Sequence, residues 1–112
     1  MKTVHLALKN TFFKEIQSGK KKTEYRDMDN SYLFNKFVNV GSYPGMTEAD
    51  VRKGIKDGKL PIRTNGWTHI MFHCNGMTML VEWKDIKAEG RYFAIGLGKV
   101  LTGKKKADDF NQ

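Results

Sequence analysis

One cysteine, two prolines and the absence of any long apolar run set the first limits on this 112-residue chain. Cys74 alone cannot form an internal disulfide, which fits a reducing compartment. No stretch approaches the roughly 20 consecutive apolar residues of a membrane-spanning helix. The opening Met1–Lys9 has neither a long apolar core nor a small-residue cleavage site, so no signal peptide is expected and the chain reads as cytoplasmic. With one Cys and three scattered His there is no dense ligand set for a soft metal, and neither a metal nor a cofactor is expected. Acidic residues are also the scarcer charge: 12 Asp and Glu against 20 Lys and Arg leave a net charge of +8. Such an excess draws polyanions at long range, although it also serves solubility.

What is present suits one compact domain. The chain is 39% hydrophobic and 12% aromatic, enough for a real core. Thr3 to Leu8 alternates imperfectly and predicts a strand. Asn10 stands where a helix N-cap would, ahead of Phe12, Phe13 and Ile16 at helical spacing, and Gly19 can end that helix. Thr23 to Arg26 predicts a second strand, Asp27 to Asn35 a polar turn region, and Asn35 to Gly41 a further short strand. Thr47-Glu48-Ala49-Asp50 matches a capping box, with Met46 and Val51 as the staple around it. The helix that follows, closed by Gly58 and Pro61, has the look of a lid or insertion over 45–63. Asn75-Gly76 between Thr68–Cys74 and Met77–Trp83 is a strong hairpin signal, because both residues tolerate positive φ. Tyr92 to Leu101 completes the pattern, with Gly98 suggesting a bulge or tight bend. The fold expected is α+β: a small, mixed, mostly antiparallel barrel of about five strands with two helices, spanning 1–103. Residues 104–112 read as a flexible tail, basic and then acidic.

The densest chemistry lies in Gly19-Lys20-Lys21-Lys22-Thr23-Glu24-Tyr25-Arg26. Glu24 and Arg26 are two apart, so on a strand they share a face, and Lys21 at the helix-strand junction can lean over it. Arg26 then has the geometry to fork onto a phosphate or base edge. A solvated strand with a surface Glu24–Arg26 pair, contributing little, is the plainer alternative.

The spacing Gly-x-Lys-x-x-Glu-x-Arg, met by Gly19, Lys21, Glu24 and Arg26, resembles the signature of the ASCH family. Leu6-Ala7-Leu8-Lys9, the Tyr25-Arg26…Tyr32 stretch, Phe72-His73-Cys74-Asn75-Gly76, Val81-Glu82-Trp83 and Tyr92–Gly98 are similar to the flanks of small bacterial and phage-type members. The resemblance implies a PUA-like barrel whose motif lines a charged cleft that binds RNA or a modified nucleoside or nucleotide. It makes Lys20, Lys21, Lys22, Glu24, Tyr25 and Arg26 the ligand-binding candidates. Some members resemble hydrolases of N4-acylated cytidine, with a lysine, a threonine three positions later and a distant glutamate as the catalytic set. Lys21 matches that lysine, but the position three later is Glu24, and Thr23 is one residue out of phase. Binding is therefore the leading reading. The alternative is an enzyme, an amidohydrolase on such a nucleoside or a metal-assisted RNase, with Lys21, Glu24 and Glu82 as acid/base candidates.

Other residues leave alternatives open. Glu82, in an otherwise apolar strand, is either a carboxylate at the barrel mouth or an outward residue of an alternating strand. Tyr25 and Trp67 are base-stacking or core aromatics. His69 and His73, four apart on a strand, are about 13 Å from each other, too far to share a metal. A third possibility is an interaction protein using the helix within 47–58 to meet an acidic partner.

Overall fold

The computed structural model describes residues 1–102. The expected tail over 104–112, including Lys104–Lys106, lies outside the described residues. Among the described residues, five strands and three α-helices make an α+β fold: β1 (Thr3–Ala7), α1 (Asn10–Gln17), β2 (Thr23–Asp27), α2 (Ser31–Phe37), α3 (Glu48–Lys56), β3 (His69–Cys74), β4 (Met77–Glu89) and β5 (Tyr92–Val100). The strands form one sheet in the order β1-β3-β4-β5-β2. β1 pairs with β3 in parallel and β3 with β4 antiparallel, so the sheet is mixed. β1 and β2 stand at its two edges. Among the described residues no helix is long and apolar enough to cross a membrane.

The chain divides into two compact units. Of the described residues, the first comprises 1–23, 67–84 and 96–102. Its core is Val4, Leu6, Phe13, Ile16, Ile70, Phe72, Met79, Val81 and Leu97, all buried. The alternation expected for β1 and β3 is what puts Val4, Leu6, Ile70 and Phe72 on one face. α1 lays Phe13 and Ile16 into this core while Phe12 stays partly exposed. The helix begins at Asn10 with Lys9 in the cap position, and no side chain caps it, so Asn10 is its first residue rather than its cap. At the other end Gly19 takes φ 83°, the left-handed conformation that favours glycine. The β3–β4 turn has Asn75 at φ 49° and Gly76 at φ 79°, the pattern of a type I′ hairpin, in which register pairs Cys74 with Met77.

The second unit comprises residues 24–66 and 85–95. Its core is Met28, Phe34, Phe37, Val38, Tyr43, Val51, Ile55, Phe93, Ala94 and Ile95. Phe93 meets Phe37 edge-on at 5.4 Å and Phe34 at 5.7 Å between ring centroids. Residues 35–41 are not a strand, and 27–35 are not all turn: α2 occupies Ser31–Phe37, and Val38 makes only an isolated bridge to Thr64. Asn30 is the signal that was overlooked, its side chain accepting the Leu33 N–H as an N-cap, with Phe34 and Phe37 at i,i+3 on the buried face. α3 has both halves of the expected capping box, Thr47 Oγ1 accepting from the Asp50 N–H and Asp50 accepting from the Thr47 N–H. Its Val51 and Ile55 are buried within this unit's core.

Candidate functional site

A concavity lies within the first unit. It begins where Gly19 reverses the chain: the Gly19 N–H donates to the Ile16 carbonyl and the Lys21 N–H to that of Glu15, each at 3.0 Å. Lys21 and Lys22 are thereby held at the C-terminal end of α1, where the helix dipole favours cations. A third bond, from the Leu97 N–H to the Lys22 carbonyl at 3.0 Å, ties this turn to β5. The result is a cavity of about 540 Å³ with Ile16 and Leu97 as apolar lining and Lys21, Lys22, Lys84 and Lys99 around it. Among the described residues no carboxylate lines it. The size falls in the range of small-ligand sites, about 300–1,000 Å³.

Lys21 is not a mobile ammonium. Its Nζ donates to the Thr23 carbonyl at 2.7 Å and stands 5.2 Å from the centroid of the Phe12 ring. These contacts hold positive charge at the cleft margin.

Glu82 and Gly98 shape the β5 wall. Glu82 Oε1 accepts the Lys99 N–H at 2.9 Å. A Cβ on Gly98 would lie 3.0 Å from both Cβ and Oε1 of Glu82, so glycine is what lets the carboxylate fold across the strand. The close approach, rather than a positive φ, explains this glycine. Of the two readings for Glu82, the structure gives a half-buried carboxylate bonded to the backbone of a cleft-lining residue.

The remaining motif residues lie in the second unit. Glu24 is buried, and its Oε2 accepts the Arg26 Nε–H at 2.7 Å, with the side chains 6% and 18% exposed. The two-residue spacing therefore does place them on one face, but as a desolvated pair rather than a solvated one. Burial of this kind disfavours either charge without the other. Tyr25, on the opposite face of the strand, is 46% exposed. Lys20 is exposed at the surface, and neither it nor Glu24, Tyr25 or Arg26 lines the cavity. Of the six proposed ligand-binding residues, Lys21 and Lys22 meet there. The three acid/base candidates each have a different partner: the Thr23 carbonyl for Lys21, Arg26 for Glu24 and the Lys99 N–H for Glu82.

Lys84 and Lys99 escaped the sequence reading. Each is an isolated lysine in a strand with no local motif, and only strand pairing sets them beside Lys22. Trp67 carries Lys2 Nζ 5.1 Å from its ring centroid, so one of its faces is already covered. Among the described residues no three His, Cys, Asp or Glu side chains cluster as a metal site. No protein-family model matches the chain, and no curated protein matches it.

Proposed function

We propose that this protein is an ASCH-like binding domain that takes an RNA segment or a nucleotide-like ligand, with the anionic part held in the lysine-lined cavity of the first unit. The observation carrying this reading is the convergence of Lys21, Lys22, Lys84 and Lys99 on one cavity with no carboxylate among its described lining residues. Four ammonium groups at one concavity repel one another, and a phosphate relieves that repulsion while releasing counter-ions. The Gly19-x-Lys21-x-x-Glu24-x-Arg26 spacing adds the family resemblance. Hydrolysis has weaker support. Lys21 is engaged with a carbonyl and Glu24 with Arg26, so neither is set up as the base that amide cleavage needs.

Fluorescence anisotropy with short labelled RNAs, with nucleoside mono- and diphosphates as competitors, tests the proposal. Affinity should fall with salt at a log-log slope of about −0.7 per single-strand phosphate neutralised. Lys22→Gln, Lys84→Gln and Lys99→Gln should each weaken binding and flatten that slope. No binding of any of these ligands at low salt would end the proposal.

A further inference from the structure

The first unit carries a second arrangement, unrelated to the lysine cavity. β1 and β3 run parallel in a register that pairs His5 with Met71 and Ala7 with His73. Val4 and Leu6 on one side and Phe72 and Cys74 on the other are buried. The period-two alternation therefore forces both His5 and His73 onto the opposite, exposed face. There Nδ1 of His5 lies 2.8 Å from Nε2 of His73, with ring centroids 5.1 Å apart and planes tilted by 35°. Each imidazole is anchored to a strand whose neighbours are locked in the core, so the two nitrogens are preorganised by backbone pairing rather than by chance contact of flexible side chains.

We infer that His5 and His73 form a bidentate site for a borderline divalent transition-metal ion, Cu²⁺ or Ni²⁺ ahead of Zn²⁺. With metal–nitrogen bonds of about 2.0–2.1 Å, two cis ligands at a right angle are about 2.9 Å apart. The preference for Cu²⁺ and Ni²⁺ follows from the ordinary affinity order of these metals for imidazole ligands. In the metal-free pair one nitrogen is protonated and the other accepts its hydrogen bond. When an ion binds, the donor ring passes its proton through water to its own other nitrogen and stays neutral, and both rings swing about χ2, a torsion with broad wells, so that their lone pairs converge. Met71 lies on the same face, opposite His5 in register, where its polarizable thioether adds a soft neighbour. No third His, Cys, Asp or Glu joins them among the described residues, so water completes the coordination and the ion exchanges readily.

The test is calorimetric titration of the tag-free protein with NiCl₂, CuCl₂ and ZnCl₂, together with electron paramagnetic resonance of the Cu²⁺ form. One equivalent of Ni²⁺ or Cu²⁺ should bind, more tightly than Zn²⁺, and the Cu²⁺ spectrum should show coupling to two imidazole nitrogens. His5→Gln and His73→Gln should each abolish the Ni²⁺ heat, whereas His69→Gln should leave it unchanged. Circular dichroism of each variant verifies that it is folded, which both substitutions permit because the positions are exposed. Binding that survives either substitution, a Cu²⁺ spectrum with one nitrogen, or no binding of any ion overturns the site.

Discussion

Arg26 donates its Nε–H to Glu24 at 2.7 Å within a pair whose carboxylate side chain is only 6% exposed. Removing one member leaves the other desolvated and unmatched. Arg26→Met should therefore destabilise the fold by about 3 kcal/mol, and the double variant Glu24→Gln/Arg26→Met by less than the sum of its singles. Urea denaturation of the four proteins measures this. Additive effects would show that the pair is not coupled.

Gly98 and Glu82 offer a second pair. An added methyl at 98 meets the Glu82 side chain at 3.0 Å, so Gly98→Ala should cost about 1–2 kcal/mol by overpacking. Shortening the opposing side chain with Glu82→Ala should recover part of that cost, despite losing the bond to the Lys99 N–H. Thermal unfolding of the single and double variants decides it: no recovery would mean that the Glu82 Cβ, which alanine keeps, carries the crowding rather than the carboxylate.

A pH dependence follows from Glu48 in the second unit. Its carboxylate accepts from Asn35, then from Arg52 and Ser31, which lowers its pKa from the ordinary 4.5 to about 2. A carboxyl depressed in the folded state contributes stability above its unfolded pKa and loses it as pH falls through the folded value. The wild type should therefore exceed Glu48→Gln in stability at pH 6, and the difference should shrink between about pH 4.5 and pH 2. Denaturation curves at several pH values measure it. A difference constant across that window would refute the assignment.

The β3–β4 turn should be sensitive at Gly76, which sits at φ 79°. Gly76→Ala should cost about 1–2 kcal/mol of left-handed strain, while Asn75→Gly should be nearly neutral. Both are read from denaturation midpoints.

Amide hydrolysis should be absent. N4-acetylcytidine incubated with the wild type at neutral pH should yield no cytidine above background, since the Lys21 ammonium is held by the Thr23 carbonyl. Turnover that Lys21→Ala abolishes would reverse the ranking of binding over catalysis.

Features that depend on a few consecutive backbone angles were legible in the sequence alone. Asn75-Gly76, Gly19 and the Thr47–Asp50 capping box all form as their residue types require, because the turn or cap is satisfied within four residues. The shared face of Glu24 and Arg26 followed from the strand period alone. α2 was misread because Phe37, Val38 and Val40 mimic a strand, and the Asn30 cap outweighs that local bias only when Phe34 and Phe37 find Phe93 to pack on. Tertiary structure alone decided the rest. The burial of the Glu24–Arg26 pair, the gathering of Lys84 and Lys99 beside Lys22, and the meeting of His5 with His73 join residues from 2 to 77 positions apart. The alternation of polar and apolar residues says which face a side chain takes, but strand order and register, set by packing the whole core, say which side chain it meets there.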